Sequence, residues 1–217
     1  MLKKILFALV FSLNIFSTAS AEDLPDKMKV AVMDFGQYNG AITSNLNGDN
    51  VGSMASDYIV EALVESKRFV VVSPELAEEK FAEENISTTG IITPSAAQRI
   101  GEILGVRYLI YGNVNSLGGD TVTFEVFANG GKFHSVKAKM IPRMVDLQTG
   151  FVIGMTEGEG TSKSSEVKIT TNVVTIKIGS HEVPQICVHN AIQKAAYNSV
   201  DAMIEQIFGI KINKKRR

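Results

Sequence analysis

Residues 28–65, "MKVAVMDFGQYNGAITSNLNGDNVGSMASDYIVEALVE", contain a strand, a long loop and a helix. Residues 28–35 are an apolar run with alternate valines, followed by glycine, which predicts a buried strand. Residues 51–65 repeat apolar side chains at helical spacing after Asp49 or Asn50, both good N-cap residues, which predicts a helix. The connection, residues 36–50, is longer than the ~2–6 residues usual between a strand and a helix. A loop of this length is either disordered or functional.

Strands and helices continue to alternate as far as residue 114. We predict a short buried strand in "RFVVVSP" (68–74), a charged helix in "PELAEEKFAEEN" (74–85), a helix in "SAAQRIGEIL" (95–104) and a strong strand in "VRYLIYGNV" (106–114). Gly105 stands where a C-cap glycine belongs. The order β-α-β-α-α-β predicts an α/β (α+β) fold in which helices flank a mixed sheet.

After Gly118-Gly119 the apolar period changes to two. Residues 120–140 predict a β-hairpin that turns at "NGG", and residues 163–179 predict a second one. Between them, "MVDLQTGFVIGMTEG" predicts a hairpin of the core that turns at 148–150. Residues 185–208 have helical spacing and predict the longest helix. An amphipathic hairpin can cover the core of a soluble domain, or it can face lipid on one side and a polar lumen on the other.

The N-terminus has the features of a secretory signal. Lys3 and Lys4 precede an apolar run, and the A-x-A pattern ending at Ala21 predicts cleavage there, which leaves one domain, 22–217. The chain has 22 Lys and Arg against 23 Asp and Glu. Without Lys3 and Lys4 the balance is 20 against 23, too even to favour nucleic acid. Cys187 is the only cysteine, so no internal disulfide is possible, and no cysteine follows the cleavage point as a lipoprotein requires.

Residues that could carry catalysis or bind a metal are few. Cys187 and His189 form a lone C-x-H, whereas zinc sites use four ligands in paired short spacings. The segment "GEGTSKSS" (158–165) lacks the spacing of a phosphate-binding loop and does not lead into a helix. Asp34 follows a strand, where aspartate more often caps a turn than acts in catalysis. We therefore predict no enzyme activity, no cofactor and no metal site.

These features together resemble the CsgG family, the outer-membrane secretion channel for curli amyloid subunits. The matching segments are "VAVMDFGQ", "SMASDYIVEALVESKRFVVVSPE", "GVRYLIYGNV", "MVDLQTGFVIGMTEGEGTSKS" and "VPQICVHNAI". The resemblance implies a periplasmic domain that assembles into a homo-oligomeric ring, in which each subunit donates two hairpins to a shared β-barrel. It further implies that apolar hairpin residues face lipid; our candidates are Phe124, Val126, Val136, Ile169 and Ile176.

In that family the loop after the first strand forms the constriction of the channel with a tyrosine, an asparagine and a phenylalanine. Those positions correspond to Ala41, Asn45 and Leu46, so the asparagine is retained and the two aromatic residues are not. We expect Ala41, Ile42, Asn45 and Leu46 to set a wider or differently gated constriction. Two further departures are the missing lipid anchor and hairpins that are shorter than the family's membrane strands.

The resemblance implies passive export of extended polypeptide by a curli assembly component of the outer membrane and periplasm. Its partners would be further copies of itself, secreted amyloid-like polypeptide subunits, accessory periplasmic proteins and the outer membrane, but no nucleic acid. The alternative is a periplasmic binding or regulatory module of the same fold without a pore, similar to a penicillin-binding-protein activator.

Overall fold

The computed structural model describes residues 27–36, 50–83, 94–126, 129–168, 175–178 and 184–212. The predicted signal sequence, 1–21, lies outside these residues. The elements in chain order are β1 (Met28–Val32), α1 (Val51–Glu65), β2 (Phe69–Val71), α2 (Pro74–Glu83), α3 (Pro94–Leu104), β3 (Tyr108–Val126), β4 (Asn129–Asp146), β5 (Val152–Met155), β6 (Gly158–Lys168), β7 (Thr175–Ile178) and α4 (Gln185–Phe208).

The strands form one mixed sheet with the order β2-β1-β3-β4-β5. Strand β1 is parallel to both β2 and β3, whereas β3 and β4 are antiparallel over their whole length. Strand β6 continues beyond β5 along the same side of β4, and β7 continues beyond β1 along the same side of β3. The predicted α/β (α+β) fold with a mixed sheet is therefore confirmed.

Helices cover both faces of this sheet. The larger core cluster joins α1 and α4 to one face, which includes Val30, Val32 and Ile110. A smaller cluster joins α2 and α3 to the other face, which includes Ala31 and Leu109. Consecutive strand residues thus enter different clusters, as expected for strands buried on both sides. No helix among the described residues is both long and apolar enough to cross a membrane.

The local signals for helix and turn ends are confirmed. Asn50 is the N-cap of α1, and its side-chain oxygen accepts a hydrogen bond of 2.9 Å from the backbone N–H of Gly52. Gly105 has a φ of 63°, a left-handed conformation that favours glycine after a helix. Gly150 has a φ of 75° in the predicted turn between β4 and β5.

Two predictions about the hairpins are corrected by the structure. The segments that we took as separate strands on either side of Gly118-Gly119 are one continuous strand, β3, with a bulge between Val114 and Ser116. The first hairpin is consequently much longer than 120–140. The second predicted hairpin is wrong in its pairing: among the described residues β6 pairs with β4 and β7 pairs with β3, on opposite edges of the first hairpin.

Candidate functional site

The two ends of the long loop, residues 36–50, are held together at one point on the core. A Cβ atom added to Gly52 would overlap the carbonyl oxygen of Gly36 and lie 3.2 Å from its nitrogen. The carboxylate of Asp34 accepts hydrogen bonds from Ser56 Oγ at 3.1 Å and from Ser53 Oγ at 3.2 Å. These contacts join the end of β1 to the first turns of α1. The loop therefore begins and ends on a fixed base.

Asp34 has a structural role in this base. Its described partners are the hydroxyl groups of Ser53 and Ser56 in α1. A carboxylate near the N-terminus of a helix is also favoured by the helix dipole. Asp34 was expected to cap a turn, but the hydrogen bonds described for its carboxylate come from the serine side chains of α1 and not from backbone N–H groups.

The base of the loop lies where β1 ends and the β3–β4 hairpin continues beyond it. The last β1–β3 pair joins Val32 to Ile110. Phe35 is buried, and a Cβ atom added to Gly112 would lie 2.7 Å from Cε1 of its ring and 2.5 Å from the carbonyl oxygen of Ile141. Glycine at 112 thus lets the Phe35 ring contact the hairpin directly. The candidate constriction residues themselves, Ala41, Ile42, Asn45 and Leu46, lie outside the described residues.

We call the part of the sheet beyond this base the ribbon: residues 111–126 of β3 and 129–142 of β4, with β6 and β7 on its edges. Near the core, one face of the ribbon is apolar and belongs to the same cluster as α4; its members include Val136, Ala138 and Met140, all fully buried. The opposite face carries the exposed Lys137 and the partly exposed Lys139. In this half, the ribbon has the pattern of an ordinary core sheet.

Helix α4 lies unusually close to β6. A Cβ atom added to Gly160 would be 2.5 Å from the backbone nitrogen of Ala195 and would overlap the carbonyl oxygen of Ala191. Gly158 approaches the same helix, because its Cβ atom would be 2.8 Å from the nitrogen of Ser199. Small residues on both elements allow this approach. The segment "GEGTSKSS" is therefore a strand fitted to α4, as expected of a sequence that lacks phosphate-loop spacing.

Further from the core the polarity of the two ribbon faces is inverted. Thr121 and His134 are paired in register on the core side, both buried, and their side chains form a hydrogen bond of 2.9 Å. The next pair, Val122 and Phe133, lies on the opposite face. Val122 is 39% exposed, and Phe133 is 49% exposed. The buried face has thus become polar, and the exposed face has become apolar. Val122 and Phe133 thus form a small exposed apolar surface on this side of the ribbon.

The predicted lipid-facing residues divide into three groups. Val136 is completely buried, with 0% exposure, so the prediction that it faces lipid is wrong: it lies on the α4 side of β4, opposite Phe133. By register, Phe124, Val126 and Ile176 are strand positions next to the exposed pair, and Phe124 pairs with Ile176. Ile169 lies outside the described residues. Val122 and Phe133 are exposed apolar residues of the ribbon that were not among the predicted lipid-facing residues.

The other polar clusters are surface interactions between α1 and α4 or between strands. The hydroxyl oxygen of Tyr58 lies 3.3 Å from His189 Nδ1. Burial and the nearby Glu61 raise the pKa of Tyr58. Burial also raises the pKa of Tyr197, together with a hydrogen bond to Glu65. Within the described part of the chain, no group of three or more His, Cys, Asp or Glu could hold a metal ion. Cys187 is buried in α4.

One ion pair joins the residue before β3 to the last residue of β4, at the end of the sheet opposite the ribbon. Arg107 donates hydrogen bonds of 2.9 and 3.1 Å to Asp146 Oδ2, and the Gln148 backbone N–H donates to Oδ1. Burial acts to raise the pKa of Asp146, but the Arg107 and backbone hydrogen bonds outweigh it and hold the pKa below its usual value. The group is a structural element of the β4–β5 turn.

The sequence profile of one protein family matches residues 12–215, nearly the whole chain. The family is described as "Curli production assembly/transport component CsgG". No curated protein sequence matches this chain.

Several solved structures are similar to part of the fold. The C-terminal domain of LpoB from Salmonella enterica is 18% identical, with a TM-score of 0.40, over 64% of this chain and 86% of that one. The lipoprotein GNA1162 from Neisseria meningitidis is 11% identical, with a TM-score of 0.40, over 60% and 78%. A PelC dodecamer from Paraburkholderia phytofirmans is 14% identical, with a TM-score of 0.36, over 80% and 88%.

Proposed function

Because the chain belongs to the CsgG family of curli production assembly/transport components, we propose that it is a curli-type secretion component of the cell envelope. In this proposal, copies of the chain assemble into a ring at the outer membrane and periplasm, and extended polypeptide passes through the lumen without an energy-consuming step. The protein is then a transport component and not an enzyme.

The inverted polarity of the ribbon is the observation that supports this proposal best. A sheet contributed to a closed transmembrane barrel needs an apolar outer face and a polar inner face, because its outer face contacts hydrocarbon. In the distal ribbon, Val122 and Phe133 lie on one face, and Thr121 and His134 lie on the other. We propose that the first face contacts lipid, together with Phe124, Val126, Ile169 and Ile176.

Strand edges also fit a shared barrel better than an isolated ribbon. The distal ribbon has the strand order β7-β3-β4-β6, so each copy would present β6 at one edge and β7 at the other. Unpaired backbone groups at an edge cannot be left in lipid, so the edges of neighbouring copies would pair to close the barrel. In this arrangement the ring is required for membrane insertion.

The loop base at the root of the ribbon is a suitable origin for a constriction. Asp34 and the two α1 serines join the two ends of the loop beside the ribbon. We propose that Ala41, Ile42, Asn45 and Leu46 set the width and polarity of the channel. The cargo would be amyloid-like polypeptide subunits, delivered with the help of accessory periplasmic proteins.

Electron microscopy of detergent-extracted protein and conductance in planar bilayers test the proposal together. We expect rings that conduct ions, and we expect Ala41→Tyr with Leu46→Phe to lower the conductance, because two aromatic rings occupy lumen volume. Ile210→Phe is a control: it follows α4, whose Phe208 contacts Phe69 at the end of the sheet remote from the loop. A monomer confined to the soluble periplasmic fraction would contradict the proposal.

A second candidate function is a periplasmic binding or regulatory module without a pore. The distal apolar part of β3 favours it, because the strand from Val122 to its end at Val126 is about half of the ~9–11 residues that a tilted membrane strand needs. In this case the exposed face of the ribbon would contact a partner protein in place of lipid. Capture of a partner that is lost when the ribbon beyond Thr121 is shortened would favour this function.

A further inference from the structure

The exposed large apolar residues of the described chain are concentrated at three places. One is the distal ribbon, and the other two are the outer strands of the order β2-β1-β3-β4-β5 within the seven-stranded sheet. Only two such residues, Ile186 and Ile210, lie elsewhere, near the ends of α4. Exposed apolar edge strands are a liability that soluble proteins usually block, so an apolar edge indicates a surface that is covered in the assembled protein.

The first edge, which we call the β5 edge, consists of Phe151, Val152, Ile153 and Met155. Phe151 is 72% exposed and Val152 is 50% exposed. Helix α4 contacts this strand, because the Met155 backbone N–H donates a hydrogen bond of 3.2 Å to Gln206 Oε1. An added Cβ atom on Gly154 would be 3.2 Å from Ile207 Cδ1. The β5 edge is therefore a supported surface that carries apolar side chains outward.

The second edge, which we call the β2 edge, is formed by β2 with Val70, and Val64 and Leu76 lie in the helices that precede and follow this strand in the chain. Val70 is 42% exposed in the middle of β2, and the other two lie at the end of α1 and the start of α2. Phe69, the neighbour of Val70, is buried and makes an edge-to-face contact with Phe208. This edge is also fixed to the core from its inner side.

The two edges lie at the same height along the strands. Val71 pairs with Val30, Val30 pairs with Tyr108, and Tyr108 pairs with Asp146. The Asp146 backbone N–H then donates to the carbonyl oxygen of Phe151. A line across the sheet thus connects the β2 edge to the β5 edge. Rotation about an axis roughly parallel to the strands keeps height constant, so it would bring one edge of a copy opposite the other edge of its neighbour.

Pairing between the ribbons of two copies would place the same two edges opposite each other. Strand β6 lies on the β5 side of β4, and β7 lies on the β1 side of β3. If β6 of one copy meets β7 of the next in a shared barrel, the β5 edge of the first copy must face the β2 edge of the second. The two surfaces differ, so the contact is heterologous, and a heterologous contact closes into a ring when its rotation allows.

We infer that the β5 edge of each copy docks on the β2 edge of the next, as the core contact of the ring. This inference rests on the proposed ring. Its occupant is a second copy of this chain, since the two edges are both apolar, lie at matching heights and lie on the flanks that the ribbon would use for pairing. The contact would hold neighbouring cores together independently of lipid.

A mixture of two cysteine variants tests the direction of the contact. Val152→Cys and Val70→Cys proteins, each tagged differently, are combined during assembly and treated with a short bismaleimide. The native thiol of Cys187 is fully buried and should not react. We expect a covalent dimer that contains both tags from the mixture and at least tenfold less dimer from either variant alone. Ile210→Cys with Val70→Cys is the matched control and should give no such product.

Other outcomes overturn the inference in distinguishable ways. Efficient dimers from Val152→Cys alone would show an isologous contact between β5 edges. Conducting rings without a mixed product would remove the edge contact and leave the proposed function standing. Monomers in electron micrographs, without any product, would overturn the ring and the edge contact together. A circular dichroism spectrum like that of the unmodified protein checks that each variant is folded.

Discussion

Replacement of Gly160 by alanine is expected to separate β6 from α4. The added methyl carbon would lie 2.5 Å from the backbone nitrogen of Ala195, whereas ordinary contact begins at 3.4 Å. The shortfall is 0.9 Å with respect to this atom, and it is larger with respect to the carbonyl oxygen of Ala191. Both obstacles are helix backbone, so no side chain can rotate away. Either α4 or β6 must move.

The loss of unfolding free energy follows from the effect of this movement on the packing of the core. Helix α4 contributes Val188, Ala191 and Ile192 to the larger core cluster, which also contains Ala138, the residue paired with Gly160. A gap of 0.5 to 1 Å between packed atoms already loses about a quarter to a half of their attraction. Overpacking of a dense core usually costs about 1–3 kcal/mol. Because the obstacle is rigid, we expect Gly160→Ala to lower the free energy of unfolding by about 3 kcal/mol.

Urea unfolding followed by far-ultraviolet circular dichroism measures this loss as a shift of the midpoint at unchanged slope. Gly118→Ala is the matched control, because it changes the same residue type in the same ribbon and its added Cβ atom has no atom within 4 Å. We expect the control to stay within about 0.5 kcal/mol of the unmodified protein. A loss below about 1 kcal/mol for Gly160→Ala, or an equal loss for both variants, would refute the proposed close fit.

Three further predictions concern the ribbon, the loop base and the β4–β5 turn. Phe133→Asp should reduce detergent-extractable rings about tenfold, because a charge on a lipid face is costly, whereas Lys137→Ser should not; equal ring yields would contradict a lipid-facing ribbon. Asp34→Ala should lower the free energy of unfolding by about 1 kcal/mol through loss of the serine hydrogen bonds, and Asp34→Asn should lower it less; equal urea midpoints for the unmodified protein and Asp34→Ala would contradict this. The lowered pKa of Asp146 in the folded protein contributes stability above its unfolded pKa of about 4, and this stability disappears as the pH falls through the folded pKa. Arg107→Met should therefore reduce the difference in unfolding free energy between pH 7 and pH 3, and an unchanged difference would contradict the role of this pair.

Local features of the sequence predict the α/β core well. The cap of α1 at Asn50 and the left-handed residue Gly105 depend on contacts within a few positions, so they can be inferred without knowledge of distant segments. The two strand faces of β1 are likewise visible in its apolar run. The loop base is different, because the contact of Gly36 with Gly52 depends on where two elements meet. The constriction residues between them stay a prediction.

Strand pairing is harder to predict, because it depends on distant residues. Gly118-Gly119 has the composition of a turn, yet β4 pairs with β3 on both sides of this dipeptide and keeps the strand continuous. The alternation in 163–179 shows which residues share a face, but it does not show which strand lies beside them. The β6 and β7 segments consequently look like partners in the sequence, whereas the structure places them on opposite edges of β3–β4.

The incorrect prediction for Val136 shows why the ribbon is the most informative part of the molecule. In "KFHSVKAKM" the apolar residues occupy an odd position at Phe133 and even positions from Val136 onward, so the apolar face changes sides within one continuous strand. In the structure the even side of β4 is buried from His134 to Met140, whereas Phe133 on the odd side is 49% exposed. A strand that served only the core would have no reason to change sides. The change of parity therefore marks the point where the odd side of β4 becomes apolar and exposed, as the proposed contact with lipid requires.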